Sequence, residues 1–395
     1  CPERKALNPI MSVDLPFHKS WLGEEEHQEV EDTLNSGWLT TGPKTQKFEE
    51  LFKDYIGCKH AIALNSCTAG LNLALAVQNF ADGDEVITSP MTFPATANVI
   101  LLQRLKPVFA DIEPGTLTID PQKIEEKITP RTRAIIPVHF AGHPCDMTPI
   151  QELADRHKLL IIEDAAHALE TQYKGKKIGN LGNATAFSFY ANKNITTGEG
   201  GMLVTNDDAL AETFRVLRLQ GISRDAWKRY GKSGFSHWQQ TLAGYKCNMP
   251  DLNASIGMHQ IKKVEQFMVL RKKYVAMYDR AFADVSELET PVVRDYATHA
   301  HHIYVIALNL DQLTIDRDGF LDAIQSAGIG VALHYIALHL QPYYVQNFNT
   351  KPQDYPVASN YSERVISLPL YPKMSPEDVE RVIGTVKDLI KKFRK

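Results

Sequence analysis

Short apolar runs alternate with segments of helical periodicity along most of the chain. The runs that predict strands are almost continuously apolar, as is typical of strands covered on both faces. They lie at 60–64, 85–88, 107–110, 134–138, 159–163, 185–190 and 202–205. Helical patterns of the length that a crossover between parallel strands needs separate several of them; they include 95–105 and 149–158. The alternation predicts an α/β fold with a mostly parallel sheet.

A second group of elements follows a long helical pattern at about 252–282. Its members are predicted at 302–309, 314–327, 331–334 and 376–392. We therefore expect a large domain over 12–265 and a smaller C-terminal α/β domain over 266–395. The opening residues, 1–11, end at Met11, and we expect them to be an added tag or a disordered start.

Composition narrows the class of protein. The 43 basic and 47 acidic side chains give a formal net charge of −4, which is not the basic footprint of a nucleic-acid-binding protein. No apolar run approaches the roughly 20 residues that span a bilayer, and no signal pattern opens the chain. The cysteines lack the paired spacing of a disulfide framework or a metal site; they are Cys1, Cys58, Cys67, Cys145 and Cys247. We expect a cytoplasmic protein without metal, membrane or nucleic-acid partners.

An acidic residue marks the end of one predicted strand. Asp164 follows the apolar run 159–162 in the segment EDAAH. The carboxyl ends of strands in an open parallel sheet line the ligand crevice, so Asp164 is a candidate for chemistry. The alternative is that Asp164 caps the helix that follows.

A lysine lies in a predicted turn between two apolar strands. Lys193 is followed by a glycine-rich stretch, and hydroxyl groups at Ser188, Thr196 and Thr197 flank it. Glycines allow the backbone to approach a ligand closely, which favours an anion or cofactor site. The alternative is a solvated loop lysine.

A turn of small residues, 65–70, opens a predicted helix and carries the hydroxyl of Thr68. Backbone N–H groups at a helix N-terminus bind anions, although the same pattern suits an ordinary N-cap. Together the three motifs supply an anion site, an acid behind a strand and a lysine. Pyridoxal phosphate needs these parts, because its aldehyde forms a Schiff base with lysine and its ring nitrogen pairs with aspartate.

Six sequence blocks in this order resemble the DegT/DnrJ/EryC1/StrS family of sugar aminotransferases. They are NSCTAGL, SPMTFPATAN, IIEDAAHALE, SFYANKNITTGEGGMLVTND, GYKCNMPDLNASIG and VALHYIALHLQPYY. The resemblance covers about residues 14–393. It implies the type I aspartate-aminotransferase fold, pyridoxal 5'-phosphate as the cofactor, and a homodimer with shared active sites.

The resemblance also implies roles for individual residues. Lys193 matches the lysine that holds the cofactor and shuttles the proton, and Asp164 matches the partner of the ring nitrogen. His167 matches the residue that contacts the ring hydroxyl, and Phe93 the aromatic side chain that stacks on the ring. A desolvated lysine has a lowered pKa, so it can act as a free amine and as a base near neutral pH.

Four further residues match contacts to the cofactor phosphate. Thr68, Ala69 and Ser188 match contacts within the subunit, and Asn248 in GYKCN matches one that comes from the other subunit.

The resemblance implies a nucleotide-sugar substrate. Thr41 lies in GWLTTGP, which resembles the family loop near the sugar; the alternative is a rigid Gly/Pro loop. His334 and Tyr335 lie in a block that faces the site, whereas the alternative for His334 is a core histidine. The EDAAHALET and GYKCN blocks most resemble enzymes that aminate C4 of a UDP-linked 4-keto sugar in surface polysaccharide or glycan biosynthesis, with L-glutamate as donor.

Two other functions stay open at this point. In the sugar dehydratases of the family a histidine replaces the lysine, so Lys193 disfavours that reaction without abolishing it. A non-catalytic regulator that binds a nucleotide sugar would not need Lys193 and Asp164. The motif SFYANK also departs from the commoner SFHxxK at Tyr190, which leaves the choice of substrate in doubt.

Overall fold

A large mixed sheet forms the centre of the structure, a computed structural model that describes residues 13–222 and 239–395. Its strand order is β1-β9-β8-β5-β4-β2-β3. Strand β9 runs antiparallel to β1 and β8, and the other pairs are parallel. The strands are β1 (His60–Leu64), β2 (Glu85–Thr88), β3 (Lys106–Phe109), β4 (Thr132–Ile136), β5 (Leu160–Asp164), β8 (Ala184–Ser188) and β9 (Gly201–Thr205). The predicted α/β class is confirmed.

Helices cover both faces of this sheet, which explains the continuous apolar runs. In β1, Ala61 and Ala63 belong to one hydrophobic cluster, whereas Ile62 and Leu64 belong to another on the opposite face. Burial on both sides leaves no position for polar alternation. The helices of this part are α1 (Glu24–Ser36), α2 (Pro43–Ile56), α3 (Cys67–Ala76), α4 (Pro94–Leu102), α5 (Pro121–Lys127), α6 (Met147–His157) and α7 (Asp208–Leu217).

Helix α8 (Asp251–Phe282) is shared by two groups of elements. Phe267 packs in a core cluster of the large sheet, and about two and three turns later Tyr274 and Tyr278 pack in a different cluster. The helix therefore runs unbroken across the predicted domain boundary at 265, which stays a prediction. Neither α8 nor another helix within 13–222 and 239–395 has the length and apolar composition that a membrane span requires.

The C-terminal elements surround a small antiparallel sheet of β10 (Leu288–Glu289), β12 (Tyr304–Leu308) and β13 (Val365–Leu368). The helices here are α9 (Arg317–Ser326), α10 (Pro342–Phe348), α11 (Pro356–Ser362) and α12 (Pro376–Phe393). Another small sheet joins the two parts of the chain, because β11 (Ala297–Thr298) pairs with β6 (Gln172–Tyr173), which pairs with β7 (Lys176–Lys177).

Several predicted bounds differ from the structure. The strand predicted at 185–190 ends at Ser188, because the chain then enters a turn in which Lys193 N–H donates to Tyr190 O. The element predicted at 331–334 is not a strand; Ala332 forms an isolated bridge with Ser367 instead. The segment 1–11, predicted to be a tag or disordered start, lies outside the described residues.

The first described residues connect the two groups of elements. Leu15 forms a parallel bridge with Ile329, and the ring of Phe17 stacks 5.8 Å from that of His334. Five residues after Leu15, the Ser20 hydroxyl donates to Ala191 O at 2.8 Å, beside the loop of Lys193. This segment therefore crosses from the C-terminal elements to the large sheet.

Two helical glycines give a matched test of the packing. A Cβ at Gly257 in α8 would lie 2.7 Å from the ring of Phe48, whereas a Cβ at Gly384 in α12 would meet nothing within 4 Å. We expect Gly257→Ala to destabilise the protein by about 1–2 kcal/mol through overpacking. Gly384→Ala should stabilise it by about 0.5–1 kcal/mol through helix propensity. Thermal midpoints of both variants check this, and an equal shift in the same direction would contradict it.

Candidate active site

The carboxyl ends of β5 and β8 open into a cavity of about 700 Å³. This is where an open parallel sheet places its ligand crevice. The cavity collects predicted residues from five separate parts of the chain; those that line it are Thr68, Phe93, Asp164, His167, Ser188, Lys193, His334 and Tyr335.

Asp164 ends β5 and is buried, with its carboxylate held from both sides. Oδ2 accepts a hydrogen bond of 2.7 Å from Thr96 Oγ1, and Oδ1 accepts one of 3.1 Å from Ala166 N. The Cys67 thiol lies 4.0 Å from Oδ1. The chain turns after Asp164 without starting a helix, so the helix-cap alternative is wrong. These contacts fix the carboxylate at the cavity wall.

Thr96 and Thr92 are cavity residues that the sequence reasoning did not select. Their hydroxyl oxygens are 2.8 Å apart, so Thr92, Thr96 and Asp164 form a connected set of hydrogen bonds. Both threonines lie within the block SPMTFPATAN. The two threonines are four residues apart around the first turn of α4, a spacing that brings both hydroxyls to one side. This spacing is the sequence pattern that could have indicated them.

Lys193 lies in the loop that follows β8. Its N–H donates to Tyr190 O at 2.9 Å, and the other arm of the loop is held because Thr197 N–H donates to Phe189 O at 2.9 Å. Withdrawal from water lowers the pKa of the Lys193 amine to about 8, with Cys67 and Asp164 opposing the shift. The side chain thus faces the cavity, and the solvated-lysine alternative is wrong.

The N-terminus of α3 meets the end of β8 at the same side of the cavity. Ser66 caps α3 by accepting from Ala69 N at 3.1 Å. The N–H groups that precede Ala69 in the first turn have no intrahelical partner, as at the start of any helix. A Cβ at Gly201 would lie 2.3 Å from Ser66 C, so glycine is required for this close approach. Gly201 pairs with Ser188 across β8 and β9. Thr68 and Ser188 line one cavity, whereas Ala69 is not among the described residues that line it.

His167 is held as a neutral ring against the cavity wall. Its Nδ1 accepts from Ala141 N at 3.3 Å, and burial lowers its pKa well below the usual value. The ring proton therefore lies on Nε2, which is 3.4 Å from the Tyr335 hydroxyl.

His334 faces the same cavity from the C-terminal elements. Its Nδ1 is 2.8 Å from Ser367 Oγ, and burial lowers its pKa to about 4. It is therefore a neutral ring that lines the cavity, which disfavours the core-histidine alternative.

At the mouth of the cavity, Phe93 is 61% exposed.

Thr41 and Asn248 lie together but are not among the described residues that line the cavity. Asn248 Nδ2 donates to Thr41 Oγ1 at 2.5 Å, and Asn248 forms a bridge with Leu64 at the end of β1. The loop of Thr41 is fixed because Asp251 Oδ1 accepts from Gly42 N at 2.7 Å. The roles of Thr41 and Asn248 stay predictions.

The lowered pKa of Lys193 predicts the pH dependence of its reactivity. Only the neutral amine attacks an aldehyde, and its fraction rises as the pH passes the pKa. We expect the protein freed of cofactor to capture pyridoxal phosphate at Lys193 with a midpoint near pH 8 rather than the 10.5 of an ordinary lysine. Borohydride-trapped adduct measured from about pH 6 to about pH 11, with Lys193→Ala as background, checks this. A midpoint above about 10 would contradict it.

Comparisons with known proteins identify the family of the chain. The model of the DegT/DnrJ/EryC1/StrS aminotransferase family matches residues 21–387. The chain is 48% identical over 378 residues to the spore coat polysaccharide biosynthesis protein SpsC of Bacillus subtilis, which covers 95% of this chain and 97% of that protein.

Solved structures share the fold over nearly the whole chain. A Streptococcus pneumoniae protein described as a sugar aminotransferase superposes with a TM-score of 0.89 at 33% identity, covering 96% of this chain and 98% of that one. It has been solved in PLP and PMP forms. Helicobacter pylori PseC, an aminotransferase involved in the biosynthesis of pseudoaminic acid, gives a TM-score of 0.89 at 31% identity, covering 96% of this chain and 100% of that one. The chain therefore belongs to the DegT/DnrJ/EryC1/StrS aminotransferase family and is a pyridoxal-phosphate-dependent sugar aminotransferase.

Proposed function

We propose that this enzyme transfers the amino group of L-glutamate to C4 of a UDP-linked 4-keto sugar. The observation that carries the proposal is that the Lys193 amine and the Asp164 carboxylate share one cavity at the ends of β8 and β5. The amine has a pKa of about 8, and the carboxylate is fixed by hydrogen bonds.

The cavity residues fit the family's cofactor in chemistry. The amine of Lys193 suits the aldehyde, and Asp164 suits the ring nitrogen. The open N–H groups at the start of α3, with the hydroxyls of Thr68 and Ser188, suit the phosphate. Phe93 offers a ring face at the cavity mouth. When bound, pyridoxal phosphate supplies an electron sink for the pair left when a Cα–H bond breaks.

Side chains of the protein then orient the cofactor and transfer the protons. Asp164 is oriented by Thr96 and Ala166 to pair with the ring nitrogen. Lys193 Nζ would take the proton from the α-carbon of the donor and deliver it to the carbon on the other side of the donor nitrogen, a task that suits a base with a pKa of about 8. His167, with its proton on Nε2, donates toward the ring hydroxyl.

Relatives support a sugar substrate of the proposed class. SpsC is named for spore coat polysaccharide biosynthesis and PseC for the biosynthesis of pseudoaminic acid. We place the sugar between His334 and Tyr335 of the cavity and Thr41. Because Thr41 and Asn248 contact each other but are not among the described residues that line the cavity of their own chain, we propose that they complete the site of a partner protomer in a homodimer.

Nitrogen transfer tests the reaction directly. The wild-type enzyme is incubated with ¹⁵N-glutamate and a panel of 4-keto and 3-keto nucleotide sugars, and product mass is followed. We expect ¹⁵N in the product of a UDP-4-keto sugar, and a loss of at least about 10³-fold in Lys193→Ala because the acid–base group is gone. Lys176→Ala, at an exposed lysine of β7, serves as the control. A dehydrated product without ¹⁵N, or no turnover with any sugar, would overturn the proposal.

The threonine that holds Asp164 gives a second prediction. Thr96→Val keeps the shape but removes the 2.7 Å hydrogen bond to Oδ2. We expect kcat to fall about 10-fold, the effect of losing roughly 1.4 kcal/mol of transition-state stabilisation, and Thr96→Ser to restore most of it. Thr88→Val is the matched control, because Thr88 Oγ1 donates to Ile136 O at 2.8 Å within the sheet. Equal losses of kcat in both valine variants would contradict a role for Thr96 at the site.

A further inference from the structure

We propose that Asn194 and His302 are positioning residues that fix Lys193 relative to His167 in the cofactor site. This inference rests on the proposed roles of Lys193 and His167. Asn194 directly follows Lys193, and the ring of His302 packs against that of His167. Together with Glu170 they form a buried set of contacts, which we call the Asn194 clamp.

The orientation of the Asn194 amide follows from its partners. Nδ2 donates to Glu170 Oε2 at 2.5 Å and to Ala300 O at 3.2 Å. Both partners are acceptors, so the nitrogen must face them and Oδ1 must face His302. Oδ1 lies 2.8 Å from His302 Nδ1, which therefore carries the proton and donates. The side chain is thus tied at three points.

His302 connects the Asn194 side chain to the ring of His167. The two rings lie 4.3 Å apart between centroids with an interplanar angle of 35°, and both side chains are buried. Burial lowers the pKa of each ring well below the usual value, so both are neutral and pack together without charge repulsion. His302 therefore supports the ring of His167, whose Nε2 is 3.4 Å from the Tyr335 hydroxyl.

Glu170 is the third residue of the Asn194 clamp. It lies in the same turn region as His167, three residues later, and its Oε1 is 3.7 Å from Arg271 Nη1 of α8. Burial raises the pKa of Glu170 to about 7, with Arg271 opposing the rise. In either protonation state one carboxyl oxygen is available to accept from Asn194.

The clamp therefore connects the loop of Lys193 twice to the turn that carries Asp164 and His167. One connection runs through Glu170, and the other runs through His302. A misplacement of about 1 Å between reacting groups can cost about 100-fold in rate, so these contacts bear on catalysis without touching the cofactor.

Variants of His302 separate the hydrogen bond from the ring contact. His302→Phe keeps a ring on His167 but loses the donor to Asn194, whereas His302→Asn places an amide N–H near the Nδ1 position. We expect His302→Phe to lower kcat for transamination by about 10- to 100-fold. KM should stay within about threefold, the signature of an interaction needed in the transition state. His302→Asn should recover most of the loss.

His339→Phe is the matched control. His339 is also buried, hydrogen-bonds Ser359 Oγ at 2.8 Å and contacts the ring of Tyr355, and neither of these partners belongs to the Asn194 clamp. It should lower the thermal midpoint as His302→Phe does, while kcat stays within about twofold. Equal kcat values in the two phenylalanine variants, or a His302→Asn variant as slow as His302→Phe, would overturn the proposal.

A binding measurement keeps this proposal separate from the proposed function. If the wild-type enzyme transfers no nitrogen, the proposed function fails, and the affinity of cofactor-free protein for pyridoxal phosphate tests the clamp alone. We expect His302→Phe to weaken this affinity about 10-fold relative to His339→Phe. Unchanged affinity would overturn the clamp. If His302→Phe does not fold, Asn194→Ala undergoes the same measurements with the same expected losses.

Discussion

The parallel pairing of β5 with β8 is the constraint on which the site depends. Its register sets Asp164 opposite Ala186, so the acidic residue ends one strand two residues before the neighbouring strand ends at Ser188. The loop with Lys193 then begins where Asp164 already faces the cavity. A shift of one residue in the register of β5 against β8 would turn Asp164 toward the opposite face of the sheet, because side chains alternate along a strand.

Burial converts this placement into reactivity. Removal of the Lys193 amine from water favours its neutral form, while hydroxyl and backbone donors satisfy the Asp164 carboxylate at the same wall. An unsatisfied carboxylate there would be costly to bury. The same low polarity keeps His167 and His302 neutral, so that these rings act as hydrogen-bonding groups and walls rather than as competing cations.

The parts of the molecule that could be predicted from sequence are those that leave a local signal. The large sheet was predictable because its strands are buried on both faces, and Asp164 and Lys193 because they follow such strands. β10 is only two residues long, and α10 and α11 are one to two turns, too short for a clear period. Thr96 and His302 were missed because their partners lie 68 and 108 residues away along the chain.

The segment around Leu15 affects the order in which the chain can fold. Its bridge partner Ile329 is made more than 300 residues later, and Asp14 pairs with the still later Arg381 at 3.1 Å. During synthesis this segment has no native partner until the C-terminal elements have emerged from the ribosome. The large sheet can assemble earlier from its own strands. Attachment of this segment therefore follows the synthesis of the C-terminal elements that it contacts.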